Sequence, residues 1–322
     1  MSTTPSSALP AVPSVDATGR IPAGERALVL GGGGSTGNAW LIGVVAGLAE
    51  AGLDVTTADL TVGTSAGSTA AAQLAGASPA ELLDGALTAP PPRTAPASPG
   101  RTAPAASGRT DPAALVTDHL ARMRAIIDAA ADPADLRRRV GAAALDLAAT
   151  QGEHRQERWR ATVAARLPVQ TWPRRTVLLT AVDARTGAPV VFDRSSGVDL
   201  ADAVAASCSS GAAYAIGDGR YIDGGYRTNA ENADLAAGYA RVLVLSPLGG
   251  RTLTPAAWGL DLATQVEALR AGGSRVETVV PGPGAEHLFG VNAMDGTLRP
   301  LAARAGRDQG KALAERLGEL WG

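Results

Sequence analysis

Three stretches of this chain carry residues whose types and spacing could do chemistry. Gly63-Thr64-Ser65-Ala66-Gly67 sets a serine between glycines two positions away on either side, the pattern of a nucleophile on a sharp strand-to-helix turn. Upstream lies Gly31-Gly32-Gly33-Gly34. With no side chains to shield them, its N–H groups can come close to a ligand, as the cradle for an oxyanion requires. Asp223-Gly224-Gly225 offers a carboxylate next to two glycines, where a second backbone or a substrate can approach. An aspartate can serve as general base if it reaches the hydroxyl and burial tunes its pKa upward. Asp-Gly is also an ordinary hairpin turn.

The glycine run has a second reading. Gly32-Gly33-Gly34-Ser35-Thr36-Gly37 fits the dinucleotide fingerprint G-x-G-x-x-G. That site wants an acidic residue at the end of the second strand, and here the stretch Leu60-Thr61-Val62 ends at Gly63. Adjacent parallel strands would bring both glycine loops to one sheet edge, which favours the oxyanion reading. Of the three histidines, His119 and His154 lie among charges in a helical stretch, where ordinary surface roles are expected. His287 is late enough to follow an aspartate, as in the α/β-hydrolase order, but the serine turn comes too early in the chain for that fold.

These residues need elements to hold them. Ala27-Leu28-Val29-Leu30 reads as a buried strand, Ala39 to Leu48 as a helix closed by Gly52, Leu60 to Val62 as a second strand, and Ala66 to Leu74 as a small-residue helix. Strand, loop, helix, strand, turn, helix is an α/β pattern with a parallel sheet. A Ser/Thr/Pro/Ala-rich tail is expected over 1–24 and a flexible Pro-rich loop over 88–111. Residues 112–166 read as a helical insert, in which Arg137-Arg138-Arg139 suit a solvated helix face. Strands are expected at 177–182, 190–192, 220–222, 242–245 and 276–280, and helices at 199–206, 255–271 and 298–320. Residues 25–322 then form a single domain.

Composition bounds the partners. The 322 residues carry a net charge of −2, so no global basic field exists to hold nucleic acid. A single cysteine, Cys208, leaves no intrachain disulfide and no cysteine-based zinc site. No apolar run reaches membrane-spanning length, and residues 1–20 lack the pattern of a signal peptide. A cytoplasmic protein is expected.

GGGGSTG at 31–37, GTSAG at 63–67 and DGG at 223–225 resemble, in order and spacing, the patatin-like phospholipase family, with the nearest likeness to its bacterial, actinobacterial-type branch. Ala181-Val182-Asp183, Val191-Phe192-Asp193, Ala205-Ala206-Ser207-Cys208, Asn232-Ala233-Asp234-Leu235-Ala236 and Gly272-Gly273-Ser274-Arg275-Val276 add to the likeness. It covers 26–87 and 170–320, and the insert poorly. The resemblance implies a three-layer α/β/α sandwich with a mainly parallel central sheet, and lipid acyl hydrolysis without a cofactor or metal. It implies a Ser-Asp dyad of Ser65 and Asp223, an oxyanion loop at Gly32, Gly33 and Gly34, and a nucleophile elbow framed by Gly63 and Gly67. A lipid or other acyl ester is the expected partner, with peripheral membrane contact, and the helical insert is expected to cap the site. Alternatives are a non-hydrolytic lipid-binding or regulatory protein on the same fold, and a dinucleotide-binding protein. Two positions depart from the family pattern. Thr36 stands where the glycine box usually carries Arg or Lys, which puts a preference for anionic head groups in doubt. Ser209-Ser210-Gly211 stand where a proline is common.

Overall fold

The computed structural model describes residues 16–88, 112–151 and 153–322. Most of the expected tail (1–15) and of the expected loop (89–111) lies outside the described residues. The end of the tail differs from expectation. Ala17 is fully buried, its N–H donates to the Val191 carbonyl at 2.7 Å, and Asp16 accepts from Val191 N–H at 2.9 Å. These two residues cover backbone groups of a strand that pairs on one side only, which would otherwise stand open.

Among the described residues, eight strands form one mixed sheet: β1 (Gly24–Leu30), β2 (Leu60–Gly63), β3 (Thr176–Asp183), β4 (Pro189–Phe192), β5 (Tyr214–Ile216), β6 (Gly219–Asp223), β7 (Tyr239–Leu245) and β8 (Arg275–Val279). The order is β5-β6-β3-β2-β1-β7-β8, with β4 also paired to β3. β1 pairs with β2 and β7, β2 with β3, and β7 with β8, all parallel; the pairings of β4, β5 and β6 are antiparallel. β5 was not expected from the sequence, since a three-residue strand has no length over which to show alternation.

The helices are α1 (Gly34–Glu50), α2 (Ala66–Leu74), α3 (Pro79–Leu87), α4 (Pro112–Ala129), α5 (Pro133–Gln151), α6 (Glu153–Ala164), α7 (Leu200–Ser207), α8 (Leu262–Ala271) and α9 (Arg299–Trp321). Alternate residues of each strand face opposite sides of the sheet. Leu28, Leu30, Leu179, Leu243 and Leu245 pack with α1, α2, α7 and α9 on one side. Ala27, Val29, Val62, Leu178, Val242 and Val244 pack with α8 and the turn Ala233–Ala236 on the other. The result is a three-layer α/β/α sandwich. The expected helix over 255–271 is cut to α8, because Gly259 turns left-handed at φ 63° and Asp261 caps the new start by accepting from Thr264 N–H at 2.9 Å.

α1 is apolar all round because it is covered all round, by the sheet on one side and by α3 and α9 on the other. Gly43 and Gly47 on α1 meet the backbone of α9 around Ala303 and Arg307, and Gly306 and Gly310 on α9 meet the backbone of α1 around Trp40 and Val44. Side chains at those positions would push the two helices apart. This contact fixes the N-terminus of α1, where the glycine run lies.

Register brings the loops together. Leu30 lies opposite both Gly63 and Leu245, so the turns after β1, β2 and β7 leave the sheet at one edge. β3 extends past β2: Gly63 pairs with Leu179, and Ala181, further along, pairs with Asp223 of the antiparallel β6.

Candidate active site

Gly63 and Gly67 make the turn from β2 into α2 sterically possible. A Cβ on Gly63 would lie 2.7 Å from Ser68 Cα, and one on Gly67 would strike the carbonyl oxygen of Leu30. Ser65 between them has φ 52° and ψ −114°, a strained conformation for a residue with a side chain. Its surroundings hold it there. The Ser65 N–H donates to Ser207 Oγ at 3.0 Å, while its carbonyl accepts from Ser68 Oγ at 2.6 Å and from the Cys208 thiol at 3.1 Å. Ser65 stays half-buried at the N-terminus of α2, where the helix dipole favours negative charge. Cys208 itself is partly buried, and its thiol pKa is pushed up to about 11, chiefly by desolvation and then by the nearby Asp223 charge.

Asp223 closes β6 and is 6% exposed. Its N–H donates to the Ser209 carbonyl at 3.0 Å, and its Oδ1 accepts from Gly225 N–H at 2.8 Å. The Ser65 hydroxyl lines the same cavity and lies near enough to this carboxylate to favour its charged form. Burial pushes the Asp223 carboxyl up to about 6, against the opposing pull of the Gly225 N–H and the Ser65 hydroxyl. A carboxylate so placed is ionised at neutral pH yet more basic than an exposed one, as a general base should be.

A buried polar network joins the two turns. Thr64 Oγ1 lies 2.9 Å from Thr180 Oγ1, and Asn232 Nδ2 donates to Thr64 Oγ1 at 3.0 Å and to the Gly224 carbonyl at 2.9 Å. Thr64, Thr180 and Asn232 are fully buried, and Asn232 is left-handed at φ 56°. Gly224 is glycine because a Cβ there would run into the Thr180 hydroxyl and carbonyl.

The glycine loop differs from expectation at one residue. Gly32 N–H donates to the Ala230 carbonyl at 2.8 Å and is not an open donor. Gly32 instead lets the loop approach Ser65, whose Cβ lies 3.5 Å from where a Gly32 Cβ would stand. The amides of Gly33 and Gly34 take no partner among the described residues. Gly34 has φ 66°, and a Cβ there would meet the Ala293 carbonyl at 2.7 Å and Met294 Sδ at 3.0 Å. Thr36 is fully buried under that same carbonyl, which accepts its N–H at 3.0 Å. The nearby cation comes from α9: Arg299 donates to the Ser35 carbonyl at 2.8 Å and to Asn38 Oδ1 at 3.3 Å.

A cavity of about 260 Å³ opens over Ser65 and Asp223. Leu120, Met123 and Ile127 of α4 and Leu136 of α5 give it an apolar wall, and the loop 248–254 forms another side. Two expectations are corrected here. His119 is a cavity residue and not an ordinary surface histidine; its Nε2 lies 3.4 Å from the Tyr226 hydroxyl. Burial, and then the charge of Arg122, hold its pKa below the ordinary value. Arg137 also lines the cavity, half-buried, while Arg138 and Arg139 stay exposed and pair with Asp135. His154 is exposed beside Glu157, and His287 lines a different, shallow pocket. The signal for His119 and Arg137 was present only as helical spacing on α4 and α5. It could not tell which face the rest of the chain would cover.

The fold and the serine turn define the class: a three-layer α/β/α protein with an elbow serine at the edge of a mixed sheet. Within that class the chain belongs to the patatin-like phospholipase family, whose model matches residues 28–236. The matched stretch runs from β1 to the turn after β6, taking in the glycine run, Ser65, Asp223 and Asn232, and stops before α8, β8 and α9. Membership supports lipid acyl hydrolase activity in general. The comparison with curated proteins found no match. Among the described residues no helix is long and apolar enough to cross a membrane.

Proposed function

We propose that the chain hydrolyses acyl esters of lipids with Ser65 as nucleophile and Asp223 as general base. The observation that carries this reading is Ser65, set on a strained elbow in the same cavity as a buried carboxylate whose pKa is pushed up to about 6. Asp223 takes the Ser65 proton as Oγ attacks the ester carbonyl. The open amides of Gly33 and Gly34 then receive the oxyanion, aided by the N-terminus of α2. The departing alkoxide takes the proton back from Asp223, leaving an acyl-Ser65 ester. Water, deprotonated by Asp223, attacks that ester; the Ser65 oxygen leaves, takes the proton back from Asp223, and the fatty acid is released. Each histidine is left out: among the described residues His119 has no carboxylate to orient it, and the other two lie elsewhere.

The apolar wall of α4 and α5 suits an acyl chain, so the insert acts as cap and channel together. Leu253, on the cavity, and Met294, over Gly34, are 45% and 58% exposed. Such a rim suits peripheral contact of a cytoplasmic protein with a lipid surface.

A fluorophosphonate should label the wild-type protein and leave Ser65→Ala unlabelled by intact mass. Asp223→Asn should label far more slowly. If wild type neither labels nor turns over short-chain nitrophenyl esters, the hydrolase reading fails. A lipid-binding protein on the same fold would then stand, a reading favoured by the commitment of the Gly32 amide to Ala230.

A further inference from the structure

Glu231 is an acid that the hydrolysis just described does not use. It lies in the turn after β6, between Ala230, whose carbonyl holds the Gly32 amide, and Asn232, which joins the turns around Ser65 and Asp223. Its side chain is fully buried. Oε1 accepts from Ser246 Oγ at 2.6 Å, while Oε2 has no partner and no cation pairs with the carboxyl among the described residues. The side chain packs on the glycine run: a Cβ on Gly31 would lie 3.3 Å from Glu231 Cγ and 3.4 Å from Oε1.

Ser246 carries the contact onward. Its N–H donates to the Val279 carbonyl of β8 at 2.9 Å, and its Oγ accepts from Gly250 N–H at 2.8 Å. A hydroxyl has a single proton to give; with Gly250 donating to it, Ser246 gives that proton to Glu231. Gly249 and Gly250 are left-handed, at φ 68° and 69°, a conformation that glycine adopts freely and does not enforce by itself. The residues that follow, Arg251 to Thr254, form one side of the cavity over Ser65. One carboxyl thus sits where the glycine run, the turn 229–232 and the loop after β7 converge.

A carboxylate in this place would have a single hydrogen bond and no counter-charge, which is costly. Burial holds the carboxyl above its ordinary pKa, against the pull of the Ser246 hydroxyl and of its own backbone N–H. Gly31, Thr64 and Ser246, which face Glu231 from the ends of β1, β2 and β7, do not titrate. Asp223 and the Arg227–Asp234 ion pair are the charged groups of the surrounding turn, and neither acts on it by charge. An apolar side chain would fill the space without desolvating an acid. Only an acceptor occupies the Ser246 proton and keeps that oxygen turned to Gly250.

We propose that Glu231 is a positioning residue for ester hydrolysis, tying the glycine run to the loop after β7 through Ser246 and so setting the Gly33 and Gly34 amides and the cavity wall together. It acts as the neutral acid. Ionised, it would place a negative charge beside Gly31, two residues before Gly33, and oppose the oxyanion. This rests on the acyl-hydrolase reading and adds to it a residue that does not touch substrate.

Full-length Glu231→Gln, Glu231→Ala and Ser246→Ala are compared with wild type by melting curves, nitrophenyl ester turnover and hydrogen exchange at the Gly250 amide. Glutamine accepts from Ser246 as the neutral acid does, so Glu231→Gln should keep most of the turnover. Glu231→Ala should lose about 100-fold in kcat with KM less affected, since misplaced donors are felt in the transition state. Ser246→Ala should be slowed in the same way, and the double variant should be no slower than Glu231→Ala. Wild-type turnover in folded Glu231→Ala overturns the proposal, as does a glutamine variant as slow as the alanine one. Where Glu231→Ala does not fold, the pH profile decides. Wild-type kcat/KM should fall on the alkaline side as Glu231 ionises, and Glu231→Gln should lack that fall. A fall that survives in Glu231→Gln, or none in wild type, overturns the role of the neutral acid. Hydrogen exchange keeps the outcome apart from the hydrolase reading. Faster Gly250 exchange in Glu231→Ala, with a wild type that neither labels with fluorophosphonate nor turns over esters, sinks the hydrolase reading alone. Unchanged exchange beside an active wild type sinks the positioning role alone.

Discussion

Asn232 donates to Thr64 Oγ1 at 3.0 Å and, from the same amide nitrogen, to the Gly224 carbonyl at 2.9 Å. One buried side chain thus grips the residue before Ser65 and the residue after Asp223. Its own Oδ1 accepts from Thr228 Oγ1 at 2.8 Å. Asn232→Ala should cost about 3 kcal/mol in urea denaturation, because it leaves buried hydroxyl and carbonyl groups unpaired. Fluorophosphonate labelling of the folded variant should slow at least about 10-fold, since a small misplacement of the reacting groups is expensive. Unchanged labelling would show that the two turns hold their places without it.

The raised pKa of Asp223 predicts two opposite pH effects. The base form is needed for attack, so kcat/KM should rise with pH and level off above about 6. Stability runs the other way. The folded state keeps a proton on Asp223 up to about 6, whereas the reference carboxyl loses it near 3.8. Between those values the folded state binds more protons, so stability falls as pH rises, by on the order of 3 kcal/mol in total. Asp223→Asn should remove this slope and be more stable than wild type at pH 7. Parallel denaturation curves at pH 4.5 and 7 check the sign.

Backbone strain at Ser65 separates two inactive variants. At φ 52° and ψ −114° an alanine keeps the strain and a glycine releases it, at some cost in unfolded-state entropy. Ser65→Gly should therefore be more stable than Ser65→Ala by about 1 kcal/mol, with both unlabelled. Equal melting temperatures would mean that the elbow stores no strain.

Gly32 and Gly34 should respond differently to alanine. At Gly32 the new Cβ meets Ser65 Cβ at 3.5 Å and Ala230 O at 3.6 Å, ordinary contacts, so the protein should fold with its labelling slowed by crowding. At Gly34 the φ of 66° and the Ala293 carbonyl at 2.7 Å both oppose a side chain. Gly34→Ala should lose about 2 kcal/mol or more of stability. Circular dichroism melts beside labelling rates would separate the two cases.

Much of the frame was legible because it depends on near neighbours in the chain. The glycines around Ser65 exist to let a strand turn into a helix within five residues, and that need is written in the motif. β1, β2, β3 and β7 announce themselves as short apolar runs, and α2 as a run of small residues. Other features were hidden because remote packing creates them. His119 and Arg137 read as surface residues on amphipathic helices until the loop after β7 closes a cavity over them. The Gly32 amide looks open until Ala230 meets it.

The sequence by itself determined which groups could react: a serine on an elbow, a run of bare amides and an aspartate beside two glycines. Their types and local spacing were enough, since φ/ψ limits and side-chain chemistry act over a few residues. Only the tertiary structure decided that Ser65 and Asp223 meet. Their strands are not neighbours; β3 runs between them and overshoots β2, so that the antiparallel β6 ends at the level of the serine turn. That overshoot is a matter of strand register, set by which apolar faces pack across the whole sheet, and no local pattern encodes it.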